Sequence, residues 1–457
     1  MIYLIVILKI IGLYFLGDLL IDLLKLRTIT KELPHKAITI VILYLFGTSA
    51  AITLLYFSFA LGIPTVFSSS LLWGIAMTGL FRRMYLHYLH NSHRLRFPSS
   101  LGGIAFSIFF VTSTLFASFF PVIANDARGI WLLKTKVLFF GKDAFMQFLQ
   151  TPYFDYSHKD YPIGLPLLYA DMSKYFDTFW EPAVGIFSFT FFFSLCLLIY
   201  GVLRSELRFT PLLAGMTTMV LLFTEEYSRQ GGNGLSDVPL SLFIAISIYL
   251  FLKIDFTQPH TLFLPVSLAI ATGFIKNEGL PFLIVFLLAI IVLFAIKHRN
   301  PQTFSLSTKT VRELLPFAFP LLGIIGILHW KTVIRTFSVE NDLLSALNFS
   351  EIVQRIPVIY SEIMSRITSG IRWGILFMPA ALLLFFPVPR RRAVHLSLAL
   401  AIITLQFLSY LVIYLITPHN VVWHISTSFS RLLLHLVPSI LILAIITYAR
   451  NIRKNTV

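Results

Sequence analysis

Polar residues break this chain into long apolar runs, and the runs set the first expectation. Those that read as membrane spans lie at about 1–24, 37–60, 63–81, 101–123, 182–203, 209–224, 237–254, 261–275, 279–296, 313–330, 371–388, 394–417 and 431–448. A helix needs about 20 apolar residues to cross about 30 Å of hydrocarbon, so repeated runs near that length predict a helical bundle in a bilayer. The fold expected is an all-α polytopic membrane protein with about 13 transmembrane helices. The first run contains Lys9, Asp18 and Asp22 and has neither a basic leading segment nor a small-residue cleavage site. It reads as a retained span and not as a signal peptide.

The breaks between runs alternate in character. One set is short and basic, with Lys25, Arg27, Lys31 and Lys36, then Arg82, Arg83, Arg94 and Arg96, then Arg204 and Arg208. It continues with Lys297, Arg299, Lys309 and Arg312, with Arg390 to Arg392, and with Arg450, Arg453 and Lys454. By the positive-inside rule these face the cytoplasm. The other set includes two long loops, about 124–181 and 331–370, and holds fifteen of the 21 acidic residues, from Asp126 to Glu362. One missed span would invert every later loop, so the regular alternation supports the count, with the N-terminus outside and the C-terminus inside.

Composition narrows the class. The chain is 57% apolar and 12% charged with a mean hydropathy of +0.83, whereas soluble domains are roughly 25% charged. The net charge of +15 does not signal nucleic acid, because the basic residues sit in short clusters between apolar runs. The single cysteine, Cys196, excludes an intramolecular disulfide and a Cys-based metal site. No His, Cys or Asp spacing demands a metal, and a divalent ion stays open only as an unassigned cofactor.

Candidate chemistry concentrates in the acidic breaks. Apolar residues at 130, 133, 137 and 140 and polar ones at 128, 134 and 136 predict an amphipathic helix in the membrane interface, anchored by Trp131. Asp126 at its start has two open readings, a helix cap or a general base at the mouth of the bundle. Tyr156 to Ala170 holds two prolines and a glycine and reads as a rigid, non-helical approach to the next element. There, Tyr156 and Tyr161 offer faces to a sugar or to the bilayer, and His158, Lys159 and Asp160 offer phosphate contacts or a solvated loop.

Lys276 and Glu278 stand between two runs with almost no loop, where ionisable groups are expensive unless paired or functional. Asp237, before Val238 and Pro239, reads most simply as an N-cap. Arg431 either anchors the end of the last span or snorkels out to a phosphate. In the second long loop, apolar residues from Phe349 to Met364 at three- and four-residue steps predict an interfacial helix pair bent near Pro357, either a lid or a passive surface element.

Five short motifs together carry a family resemblance. They are Asp126-Ala127 with Ile130, Trp131, Lys134 and Lys136; His158 to Pro162 with Pro166-Leu167; Ser236 to Leu240; Lys276 to Gly279; and Trp423-His424 with Thr427, Ser428, Arg431 and Leu432. In this order the chain resembles predicted bacterial members of the glycosyltransferase C superfamily, relatives of the protein O-mannosyltransferases and the lipid A aminoarabinose transferases. The resemblance covers roughly residues 101–448, which sets apart a three-span N-terminal segment (1–100) and a basic cytoplasmic tail (449–457). It implies transfer of a sugar from a polyprenyl-phosphate carrier to a glycolipid, polysaccharide or protein acceptor, usually with inversion at the anomeric carbon. It also implies a bacterial inner (plasma) membrane protein with its site on the periplasmic or extracellular face, and an early acidic residue, here Asp126, as general base. Ala127 stands where better characterised members often carry a second acidic residue.

Displacing a phosphate-linked leaving group needs a base for the acceptor proton and cations for the developing phosphate charge. It also needs a cavity open to lipid, because a polyprenyl tail leaves the bilayer at a cost of about 0.8 kcal/mol per methylene. The expected site is Asp126 as base, with substrate contacts from Arg128, Lys134, His158, Lys159, Tyr161, Asp237, Lys276, Glu278, His424 and Arg431. Arg128, Lys276 and Arg431 are the candidates for holding the donor phosphate. The alternative from another class is a transporter or flippase, which favours ionisable or helix-breaking residues near the midplane. A non-catalytic assembly subunit is a third reading, in which positions 126 and 276 tolerate substitution.

Overall fold

The structure is a computed structural model that describes residues 2–90, 125–222, 225–255, 258–297, 317–337, 349–368 and 393–455. Among the described residues every regular element is helical. In chain order the helices are α1 (Ile2–Leu23), α2 (Lys36–Ala60), α3 (Thr65–His90), α4 (Leu133–Phe140), α5 (Lys142–Gln150), α6 (Gly164–Met172), α7 (Pro182–Glu206) and α8 (Pro211–Leu222). Then come α9 (Asp237–Phe251), α10 (Phe263–Ile275), α11 (Gly279–Lys297), α12 (Ala318–Thr336), α13 (Phe349–Thr368), α14 (Ala393–Ile416) and α15 (Val421–Asn455). Single helical turns join some of them.

Seven of these, α1, α2, α7, α11, α12, α14 and α15, are long and apolar enough to cross a membrane by length and composition. α9 and α10 have 15 and 13 residues, about 22 and 20 Å at 1.5 Å per residue, and are shorter than the hydrocarbon layer. Almost every residue of both is buried, which makes them interior helices. The run expected at 63–81 lies in α3, and the one at 209–224 contains the 12-residue α8. The runs expected at 101–123 and 371–388 lie outside the described residues, as does the start of 313–330.

Burial sorts the helices into centre and rim. The most apolar stretches of α2 and α7 are 83% buried, whereas those of α11, α12 and α14 are 33% buried. The rim helices expose Ile284, Leu288 and Ile291 on α11 and Leu321, Ile325 and Leu328 on α12, an apolar surface that suits lipid rather than water. α2 packs against α1, α3, α6, α7, α10 and α12, so the N-terminal helices and the later ones share one core.

Close contact between α1 and α2 depends on two glycines. A Cβ at Gly17 would lie 1.9 Å from the Leu43 carbonyl oxygen, and one at Gly47 would lie 1.8 Å from that of Leu13. Without side chains there, the backbones meet directly, as small residues permit between membrane helices. Charges fix α1 at both ends of the bundle. The buried Lys9 ammonium lies 3.6 Å from Asp171 Oδ2 and also donates to the Asp171 carbonyl, while the Trp73 indole donates to the same carboxylate at 2.9 Å. Farther along α1, Arg27 binds Asp18 at 2.6 Å and Asp22 at 2.5 Å, and Arg82 of α3 also reaches Asp22.

The first long loop differs from its expected form. It folds into a compact cap of α4, α5, a 3₁₀ turn over Pro152–Ser157, and α6, entered through a π-helical turn over Ala127–Leu132. The wider turn shifts the phase of the pattern read at 3.6 residues per turn. Trp131 and Lys134 are therefore buried and Arg128 is exposed, so Trp131 is a core residue and not an interfacial anchor. The approach after Tyr161 turns helical by Gly164, with Pro166 tolerated in the first turn of α6. The helix pair expected near Pro357 is one helix, α13, that runs through the proline and buries Ile359 and Ile363 while exposing Val353, Ile356 and Tyr360.

Candidate functional site

A cavity of about 1100 Å³ opens among the first-loop cap, the α10–α11 turn, the end of α12 and the start of α15. Each of these brings its polar residues for a local reason. α10 ends at Ile275 and Lys276 is extended, with φ −157° and ψ 153°, so a three-residue turn aims Lys276, Asn277 and Glu278 before α11 begins at Gly279. That turn is tight, since a Cβ on Gly279 would sit 2.1 Å from the Thr272 carbonyl oxygen. α14 stops before Thr417-Pro418, and the Asn420 side chain caps α15 by accepting from the Trp423 amide at 3.0 Å. The segment from Trp423 to Arg431, expected ahead of the last span, is thus the beginning of α15. Its His424, Ser428, Arg431 and His435 recur every three or four residues and share one face.

The centre of the site is Asp237. It is the first residue of α9 and fully buried, and it makes no cap; the Ser236 side chain before it makes none either. Its carboxylate accepts from Lys276 Nζ at 2.9 Å, Arg431 Nε at 3.1 Å and NH2 at 3.0 Å, and His435 Nε2 at 3.0 Å. The simple N-cap reading of Asp237 is corrected accordingly. A buried carboxylate needs cations and donors, and two distant segments, the α10–α11 turn and α15, supply them. Behind His435, the Tyr410 hydroxyl lies 3.1 Å from Nδ1, which assigns the imidazole's two nitrogens to one partner each.

Two arms extend from Asp237 to the cavity wall. Lys276 also binds Glu278 at 2.8 Å. Burial works against charge on both groups, but Asp237 and Glu278 hold the Lys276 ammonium above its ordinary range, and Lys276 holds Glu278 below its own. The pair is ionised. On the other arm, Arg431 NH1 binds Asp126, whose side chain is 48% exposed at the wall and makes no helix cap. Of the two readings of Asp126, the cap is the one the geometry does not support.

The remaining expected residues divide. His158, Lys159, Tyr161 and His424 line the cavity with Asp126, Lys276, Glu278 and Arg431, whereas Arg128 and Lys134 do not. Lys134 is fully buried and donates to the His158 carbonyl, under the rings of Trp131 at 5.8 Å and Tyr161 at 5.4 Å. Burial, partly offset by Asp160, pushes its ammonium down to about 7. His158 itself adopts the left-handed region at φ 49° and stacks on Tyr161 with centroids 5.1 Å apart. Lys159 ties its own loop together through the carbonyls of Leu149 and Thr151 and through Asp155 at 2.6 Å. Burial holds the Tyr161 phenol well above its ordinary range, so it lines the cavity as a neutral hydroxyl.

Other wall residues escaped the sequence. Lys331, at the end of α12, donates to Asn277 Oδ1 at 2.8 Å, and Asn277 Nδ2 donates to Asp160 at 2.7 Å. Lys331 opens the second long loop directly after an apolar run, and nothing there marks it. His435 did carry a signal, its four-residue spacing from Arg431. Among the described residues no group of three or more His, Cys, Asp or Glu side chains is arranged to hold a metal ion. Comparisons of the chain with protein-family models, with curated proteins and with solved structures found no match.

Proposed function

We propose that this protein is a membrane glycosyltransferase that moves a sugar from a polyprenyl-phosphate carrier to an acceptor on the outer face of a bacterial membrane. Asp126 is the general base and the reaction inverts the anomeric centre. The supporting observation is the convergence of a half-exposed carboxylate, Asp126, with Arg431, Lys276 and Lys331 around one cavity at the end of an apolar bundle. That set offers the two functions a displacement at a phosphate-linked sugar requires, proton removal and stabilisation of phosphate charge. Tyr161, His158 and Trp423 add flat surfaces to the same wall that suit a sugar ring. The full proposal keeps the thirteen-span topology, with the two long loops and the cavity on the side away from the basic breaks.

The test is transfer from a labelled polyprenyl-phosphate sugar by the full chain in proteoliposomes, and surface-glycan modification in a complementation strain. Asp126→Asn should lower turnover by about 10²–10⁴-fold, the usual contribution of a general base, with expression and insertion unchanged. Full retention of modification would remove the proposed base. Flux of the labelled molecule across the vesicle wall with no chemical change would favour the transporter reading instead.

A further inference from the structure

The cavity contains a charge balance that constrains how an anion enters it. Asp126, Asp155, Asp160 and Glu278 face Lys159, Lys276, Lys331 and Arg431, four carboxylates against four cations, and the buried Asp237 behind them tips the total to one negative charge. Among the described residues, the charged lining side chains thus offer a phosphodiester no net positive charge. Lys331 rests on the neutral Asn277 amide, but Arg431 and Lys276 serve an anion only by leaving a carboxylate.

The pairs differ in what their separation leaves behind. Parting Arg431 from Asp237 would strand a carboxylate with no exposure at all, and Glu278, the second partner of Lys276, has an 11% exposed side chain. Asp126 is 48% exposed, so water can solvate it once it is released. The guanidinium is also divided suitably. Nε and NH2 stay on Asp237, and only NH1 reaches Asp126.

We propose that Arg431 is an exchange switch: a lipid-linked phosphodiester in the cavity takes NH1 from Asp126 and thereby frees the Asp126 carboxylate to accept a proton from the acceptor. This rests on the transferase reading above and adds an order to it. The base is held by a salt bridge until the donor arrives, and donor binding precedes activation of the acceptor.

The exchange makes a prediction of unusual sign. Because Asp126 competes with the donor phosphate for Arg431, Asp126→Asn should bind polyprenyl phosphate more tightly than wild type, by about twofold to fivefold, the range of a partly exposed ion pair. A group that only contacts the donor would weaken binding when altered, and a base with no such competition would leave it unchanged. The full-length protein in nanodiscs, titrated with polyprenyl phosphate, supplies the measurement. Asp160→Asn removes a carboxylate from the same wall that accepts from the neutral Asn277 amide and does not touch Arg431, so an equal gain there would mean a general field effect and would overturn the exchange. The gain should also vanish when Asp126→Asn is combined with Arg431→Gln. Unchanged or weaker binding of both polyprenyl phosphate and inorganic phosphate by Asp126→Asn overturns the proposal, even where transfer assays uphold the enzyme. Inorganic phosphate is the second probe: a gain with it and none with the lipid would keep the exchange and reject the lipid-linked donor.

Discussion

Replacing Asp237 by asparagine keeps the shape of the side chain and deletes the charge on which two cations converge. The magnitude follows from the contacts. Asp237 is fully buried, and Lys276, Arg431 and His435 lie within 3.1 Å of its oxygens. Removing one partner of a buried ion pair costs about 3–5 kcal/mol. Here the lower end applies, because Lys276 keeps Glu278 at 2.8 Å and Arg431 keeps the half-exposed Asp126. About 3 kcal/mol is roughly a 100-fold change in the folded-to-unfolded ratio. In a chain of 457 residues that is a fall in apparent Tm of about 3 °C.

The protein carries its own probe for this assay. Cys196 is the only cysteine and is buried in α7, so a thiol-reactive fluorophore reports its exposure as the bundle opens on heating. The control is Asp155→Asn, whose carboxylate is 72% exposed beside Lys159 and is worth at most about 1 kcal/mol. An Asp237→Asn Tm within about 1 °C of wild type, or no lower than that of Asp155→Asn, would refute the claim that Asp237 organises the site.

Two further predictions use the same thiol readout. Gly47→Ala forces a Cβ into the Leu13 carbonyl and should lower the unfolding temperature well below that of Gly74→Ala, whose added Cβ meets nothing within 4 Å; equal shifts would contradict direct backbone contact between α1 and α2. Lys134 should give a pH signature: its folded value of about 7 lies below the ordinary 10.5, so between these values the unfolded chain holds a proton that the folded one lacks. Stability should therefore rise with pH across that window, by up to about 1.4 kcal/mol per unit. Lys134→Met should flatten the slope, and an unchanged slope would refute the burial argument.

Much of the bundle is legible in the sequence because apolar length is a local property. The runs that became α1, α2, α7, α11 and α14 appear within a few residues of their ends. The motifs around Asp126, His158, Lys276 and Arg431 also line one cavity. What the sequence hides is partnership. Asp237 has the signature of a cap, and only tertiary packing brings it to Arg431 and His435, 194 and 198 positions away. A regular helical period places Trp131 and Lys134 outward, and the π turn before Leu133 turns them in. Lys331 closes an apolar run and carries no local mark, although its ammonium joins the polar wall through Asn277.

The position of α2 bears on how the chain is made. It is synthesised before most of the helices that pack against it, α6, α7, α10 and α12 among them. Until those emerge from the ribosome, buried polar groups such as Thr48, Ser49 and Thr53 have only their own helix for hydrogen-bonding partners, and Thr48 and Thr53 donate to the carbonyls of Tyr44 and Ser49. Thr48 and Thr53 can therefore wait in lipid with their donors satisfied, whereas the Tyr44 and Tyr56 hydroxyls meet Thr190 and His329 only when α7 and α12 arrive, and the helix is enclosed late.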